Sequence, residues 1–350
     1  MSSKPRLIIH AGVHRTGTTS IQHLLEINRD TLAAHGVLYP LDYAPTPGGD
    51  PRRAGANHQR LAWALAERTL SGHAARQWLE PLAAGFETVI LSGEDFCAIR
   101  NASFLGPLSE AFDIEAVFYL RRQDDYVNSW YNQHLRWPFD PRHWQQTPRE
   151  FFDFSPKFYW LYYFDLLKNW SDLLGLGKVR VRVLEKGQVT DVVSDFLELA
   201  GLASMPLKHG PVINDSIPAD HLELLRRIRL HRYSWGVRNM AREALAPLPA
   251  RRSTNAFPAS ARREIVRRYA LQNIMVARTY LDRPDGILFR DLTFPDDECD
   301  MDALVPPSDE LIAGFWRNMM KLDQQYDLGG RALLREDLFR GLHLDGPDTA

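Results

Sequence analysis

Two cysteines in 350 residues, Cys97 and Cys299, are too few and too far apart for a disulfide framework or a cysteine-rich zinc site. That usage suggests a reducing cytoplasm, and both thiols read as small core filler. A surplus of charge is missing too. Lys and Arg number 42 against 44 Asp and Glu, so the chain lacks the basic excess of a nucleic-acid binder. No apolar run approaches the roughly 18 residues of a membrane span. MSSKPR leads straight into LIIHAG, without the charged region and longer apolar core of a secretory signal. No internal repeat is present. What remains is a globular composition, 45% apolar and 25% charged, long enough for one large domain or an α/β domain with an appendage.

The first half alternates short apolar runs with helical patterns, the signature of a parallel α/β sheet flanked by helices. Strands are expected over Leu7–Ala11, Glu87–Leu91, Glu115–Leu120 and Lys178–Leu184. From Thr18 the apolar positions Ile21, Leu24, Leu25 and Leu32 share one helical face, ended by Gly36. Asp42–Gly55, rich in Pro and Gly, reads as a surface loop. Further helices are expected over His58–Leu70, Ala74–Ala84, Asp124–Arg136, Lys157–Leu174 and Val192–Leu199; Trp137–Pro156 carries no assignable pattern. Beyond Gly201 strand signals fade, and helices are expected at Ala219–His231, Ser260–Leu281 and Ser308–Tyr326. The expected division is an α/β domain over 1–205 and a mainly helical C-terminal extension over 206–350 packed on it.

The densest chemistry lies at His14-Arg15-Thr16-Gly17-Thr18-Thr19-Ser20, between the first strand and the first helix. A helix start offers unpaired N–H groups and the positive end of the macrodipole, and so favours phosphate. Gly17 permits close backbone approach, and the threonines add hydroxyl donors. The spacing of Gly12 and Gly17 matches the nucleoside triphosphate loop GxxxxGK[ST], but Thr18 stands where that loop has lysine. Arg15 is the nearest cation. A kinase needs that lysine over the β- and γ-phosphates and a hydroxyl on magnesium; a loop without it suits a shorter anionic group and no metal. Taken alone, a threonine-rich helix start after a turn glycine explains the same residues.

This segment resembles the 5′-phosphosulfate loop, PK[ST]GTT, of the sulfotransferases that use 3′-phosphoadenosine 5′-phosphosulfate (PAPS), and its continuation resembles a bacterial branch of that P-loop superfamily. His14 stands at the proline position, Arg15 at the lysine position, and Thr16-Gly17-Thr18-Thr19 match directly. The Lys-to-Arg change keeps the charge but replaces a compact ammonium with a planar fork. The family's second signature is an Arg at a strand end followed eight residues later by a Ser, which together hold the donor's 3′-phosphate. Arg121 and Ser129 have this spacing. The resemblance covers roughly residues 6 to 205 and, less specifically, Leu281-Asp282-Arg283 to Phe289.

The resemblance implies a P-loop-type central parallel sheet and a nucleotide-binding transferase that passes a sulfuryl group from PAPS to a hydroxyl or amine acceptor. A glycan or glycolipid hydroxyl is the favoured acceptor. PAPS would lie with its 5′ group on Arg15, Thr16, Gly17, Thr18, Thr19 and Ser20 and its 3′-phosphate on Arg121 and Ser129, with no metal. Arg122 should face away from Arg121, since successive strand residues alternate. Transfer needs a base for the acceptor and cations for the leaving phosphate. In topological place Glu94 resembles the catalytic His of small-molecule sulfotransferases, and His58 is the alternative base. Glu94 or Asp95 as a simple helix cap competes with that role. His10 reads as buried structure, and His23 and His134 lie on helices without a functional arrangement. Most of the aromatic residues between Trp130 and Trp170 read as core. Two other readings stay open: a small-molecule kinase using Glu94 or Asp95 on magnesium, and a non-catalytic adenosine-phosphate-binding protein.

Overall fold

Leu7, Ile8 and Ile9 are apolar without alternation, and all three are buried in the first strand, as a strand covered on both faces requires. This strand (β1, Arg6–His10) sits at the centre of a five-stranded sheet with Val37–Leu38 (β2), Thr88–Ser92 (β3), Asp113–Leu120 (β4) and Val179–Val183 (β5). Every pairing is parallel and the order is β2-β3-β1-β4-β5. The computed structural model describes residues 4–13, 16–41, 58–136, 140–189, 191–210, 217–229, 233, 235–251, 253–294, 300–302 and 306–326. The loop expected over Asp42–Gly55, Cys299 and His231 lie outside them.

The four strands expected from the sequence occur to within two residues of their anticipated ends. The edge strand β2 carries no pattern of its own, being two residues after Gly36, whose φ of 76° makes the turn. The long helix expected from Thr18 is two, Thr18–Ile27 and Arg29–Ala34. Asn28 divides them. Its side-chain amide donates to Leu24 O and Lys208 O, both at 2.8 Å, and its oxygen accepts the Lys208 N–H at 2.8 Å. Asparagine here spends its polar atoms on another stretch of backbone instead of continuing the helix. Ile21, Leu24 and Leu25 pack with Ile8, Ile90, Val117, Tyr119 and Phe196 on one face of the sheet.

The chain forms two units interleaved in sequence. The sheet unit comprises Met1–Tyr126, Lys157–Asn214 and Ile265–Thr293; the second comprises Val127–Pro156, Asp215–Glu264 and Phe294–Ala350. The expected helix Ser260–Leu281 is broken at Tyr269 into Ala259–Arg268 and Ala270–Tyr280. Hydrogen bonds fasten the stretch 265–293 to the sheet unit. Gln123 and Asn273 exchange two amide bonds, 2.6 and 3.1 Å, in a buried site. The Arg122 guanidinium donates to Asp291 O and to Thr293 O.

In the second unit Leu224, Leu225, Met240, Ala244, Phe315 and Met319 form a helical core. A helix at Pro148–Phe154 falls where no pattern was assigned, and its start was written in the sequence as T-P-R-E. Thr147 Oγ1 accepts the Glu150 N–H at 3.2 Å and Glu150 accepts the Thr147 N–H at 2.8 Å, a capping box with Pro at its first turn. Trp130, Tyr131, Tyr163 and Trp170 are buried, as the core reading of the aromatics expects.

Truncating one member of the Gln123–Asn273 pair strands the other amide in a buried site. Asn273→Ala should therefore lower the unfolding free energy by roughly 1–3 kcal/mol in urea titrations. Gln123→Leu combined with Asn273→Leu should lose less than the single truncation, and a purely additive pair would contradict this account.

Candidate functional site at the carboxyl edge of the sheet

The connection leaving β1 runs to β2 on one side of the sheet, whereas the one leaving β4 runs to β5 on the other. Between the carboxyl ends of β1 and β4 lies the crevice where open α/β sheets bind ligands. The loop leaving β1 is closely packed. A Cβ on Gly12 would stand 2.3 Å from Thr18 Oγ1, and one on Gly17 would stand 2.4 Å from Val192 Cγ1. Gly17 also has φ 80°, so no other residue fits there without strain. Thr16 is buried, and its hydroxyl donates to Val13 O at 2.7 Å, closing the loop on itself.

Thr18 is 1% exposed, and its Oγ1 has no hydrogen-bond partner among the described residues. Among the described residues, no side chain caps the helix Thr18–Ile27 at Gly17. Thr19 is exposed and Ser20 half-buried. The site thus pairs an orphaned buried hydroxyl with a bare helix N-terminus. That fits an anionic group, which accepts from N–H and O–H donors alike. His14 and Arg15 lie outside the described residues.

At the end of β4, Arg121 is half-buried and its carbonyl accepts the Tyr163 hydroxyl at 2.6 Å. It lines a cavity of about 490 Å³ shared with Leu184, Lys186 and Phe289. Arg122 turns its guanidinium to Asp124 at 2.6 and 3.0 Å and to the backbone of residues 291 and 293, a structural use that leaves Arg121 as the ligand candidate. Ser129 is buried on the helix Gln123–Arg136, in the part of it that belongs to the second unit.

The register places Ser92, the last residue of β3, beside His10, the last residue of β1. Gly93 N–H donates to His10 O at 3.1 Å and so prolongs the pairing. Glu94 follows at once, half-buried, at the start of a 3-10 turn over Glu94–Ala98; Asp95 beside it is buried. Burial, then the neighbouring Cys97, Tyr163 and Glu94, raise the Tyr126 hydroxyl well above its usual pKa, the last of these placing Glu94 in the field of that phenol.

His58 is fully buried. Its Nδ1 accepts the Ser92 N–H at 3.0 Å, and its Nε2 bonds Pro40 O at 3.1 Å. Desolvation lowers its pKa to about 4, aided by the charge of Arg29 and outweighing the carbonyls of Ser92, 3.3 Å from Nδ1, and Pro40, which favour the protonated ring. His10 is buried as well, and desolvation lowers its pKa to about 3. Its Nδ1 meets Ser92 Oγ at 2.8 Å, while its ring stands edge-on to Tyr119 at 5.7 Å. Two histidines thus grip Ser92, one by its side chain and one by its backbone. Gln22, from the first helix, also donates to Ser92 O at 3.4 Å. Sequence reading did not single out Ser92 or Gln22, which meet across 70 residues of chain, or Tyr126, which lies near Glu94 from the helix that follows β4. His23 lies half-buried on the first helix, and His134 is buried in the second unit.

Among the described residues, no group of three or more His, Cys, Asp or Glu side chains could hold a metal ion. No described helix is long and apolar enough to cross a membrane. Comparison of the chain with protein-family models, with curated proteins and with solved structures yields no match.

Because His10 and His58 resist protonation in the folded state, the unfolded chain takes up protons first as pH falls below the usual imidazole value of 6.5. Their contribution is complete above pH 6.5 and is lost progressively toward about 4 for His58 and about 3 for His10. Urea midpoints measured from pH 7 to 4 should fall with pH, and His58→Gln should make that fall shallower. An unchanged slope would mean that His58 is not buried neutral.

Proposed function

We propose that the sheet unit is a P-loop-type sulfotransferase that binds PAPS and passes its sulfuryl group to a hydroxyl or amine acceptor, with a carbohydrate hydroxyl the favoured class. One observation carries the reading: a bare helix N-terminus with the orphaned Thr18 hydroxyl, at the switch point of an all-parallel sheet, without lysine at position 18. A group with a phosphate and a sulfate, and no γ-phosphate, matches those donors in kind. The sparse cysteine usage, with Cys97 buried, suits a cytoplasmic location.

In this reading the Thr18 and Thr19 amides and the helix macrodipole hold the 5′ group, and Arg15, placed by the sequence in the same loop, adds a full charge. Arg121 holds the 3′-phosphate in the cavity at β4. Glu94 takes the proton of the acceptor as its oxygen or nitrogen bonds to sulfur and the bond from sulfur to the phosphate oxygen breaks. The charge that develops on that phosphate falls on the loop's donors, which are already oriented. His58 has both ring nitrogens committed to backbone, so its part is to position the end of β3, and the role of base goes to Glu94.

Calorimetry in EDTA should show tight binding of 3′-phosphoadenosine 5′-phosphate, weakened about ten- to a hundredfold in Arg121→Ala, that is by roughly 1.5–3 kcal/mol. Equal affinity for AMP would argue against the reading, since Arg121 would then recognise nothing. In single-turnover transfer from labelled PAPS to a saccharide panel, Glu94→Gln should keep donor affinity and lose about 10²–10⁴ in rate. Transfer at the wild-type rate would remove Glu94 from the chemistry.

A further inference from the structure

A cavity of about 880 Å³ opens elsewhere in the sheet unit, between the end of the helix Gln59–Ala66, the start of the helix Gly72–Leu82 and the segment that follows Ala98. None of the described residues lining it is acidic, although the chain as a whole carries a net charge of −2. Arg68, His73 and Arg100 line it. The cavity at β4 is different in kind, setting Arg121, Arg122 and Lys186 against Asp125, Glu185 and Asp291.

The neutral groups of this cavity are donors too. Ser71 Oγ accepts the Ala74 N–H at 3.1 Å, and Asn101 Oδ1 accepts the Ser103 N–H at 2.9 Å. The Ser71 hydroxyl proton and the Asn101 amide hydrogens are left to donate. The Arg100 guanidinium lies over the Tyr159 ring, 4.3 Å from its centre, which orients the cation without neutralising it. Neither arginine pairs with a carboxylate among the described residues.

Two backbone features hold the walls in place. Gly72 packs so tightly that a Cβ there would stand 2.7 Å from Phe104 O. Arg68 has φ 58°, a left-handed conformation that ends the helix Gln59–Ala66, with Leu70 N–H donating to Ala64 O at 3.0 Å. Glycine is the usual residue in that place, and a side chain is penalised there. An arginine that endures this strain beside a cavity with no carboxylate among its described lining residues points to a use for its guanidinium.

We propose that this cavity anchors an oxyanion group, a sulfate or a carboxylate, on an oligosaccharide acceptor. Calling the ligand an acceptor rests on the sulfotransferase reading; the recognition of an anionic saccharide does not. The 3-10 turn Glu94–Ala98 leads from the candidate base into the cavity wall, a path of about 8 Å at the usual rise of such a turn. A ligand spanning it is longer than one sugar. Guanidinium forks suit sulfate and carboxylate, while the serine and asparagine donors suit ring hydroxyls.

The test is calorimetry on the full chain with a monosulfated disaccharide, its desulfated counterpart and inorganic sulfate, and separately with 3′-phosphoadenosine 5′-phosphate. The sulfated disaccharide should bind at least about tenfold more tightly than the other two, and Arg68→Gly and Arg100→Ala should each weaken it by about tenfold. Arg68→Gly relieves the backbone strain, so its fold is secure, and both variants should keep wild-type affinity for 3′-phosphoadenosine 5′-phosphate. Equal affinity for the two disaccharides, inorganic sulfate binding as well as the sulfated sugar, no saccharide binding, or variants that bind like wild type would each overturn the proposal. Failure of the wild type to bind 3′-phosphoadenosine 5′-phosphate would instead count against the sulfotransferase reading and leave the saccharide result standing.

Discussion

The register that sets His10 beside Ser92 on one side and beside Val117 on the other decides which loops share the carboxyl edge of the sheet. Because all five strands are parallel, the turn after β1, Glu94 after β3 and Arg121 after β4 all emerge from that one edge. A slip of one residue would turn every β1 side chain to the opposite face, moving Ile8 and His10 away from the helices that cover them. Around Ser92 the register is locked by His10 from the side chain and His58 from the backbone, with Gln22 reaching in from the first helix. Burying two neutral imidazoles for this purpose makes the same region sensitive to acid.

The loop after β1 carries the opposite arrangement. At the β3 end three side chains hold Ser92, whereas the start of the first helix has no side-chain cap among the described residues, and Thr18 keeps a buried hydroxyl with no partner among them. An unsatisfied buried hydroxyl is unfavourable to the fold, so the site holds a modest instability that a suitable anion would relieve. Gly12 and Gly17 make this possible by leaving no room for a Cβ on either side of the loop. A rigid β3 edge beside an under-satisfied β1 loop divides the labour between positioning and binding.

The strongly apolar strands and the helix start at Thr18 were legible because burial on both faces and the change of period are local signals. β2 was not, since two residues after a glycine turn carry no periodicity and become a strand only by pairing with β3. Asn28 hid the break in the first helix, because its partner lies 180 residues away at Lys208. The capping box at Thr147 and Glu150 was readable and passed over among prolines and aromatics. Of the site, the loop and Arg121 could be found by spacing. The grip on Ser92 and the cavity at Arg68 and Arg100 depend on elements distant in sequence. His58 shows the limit most clearly, since nothing in Asn57-His58-Gln59 announces that both ring nitrogens are spent on backbone.

In the proposed function the bare helix start at Gly17 receives the donor's 5′ group and the end of β4 its 3′-phosphate. Amide hydrogen exchange of the full chain, with and without 3′-phosphoadenosine 5′-phosphate, tests it most directly. Exchange should slow at Gly17, Thr18 and Thr19 together with the segment at Arg121 and Arg122. Unchanged exchange at Gly17 to Thr19 under saturating ligand, with protection confined to other segments, would contradict it.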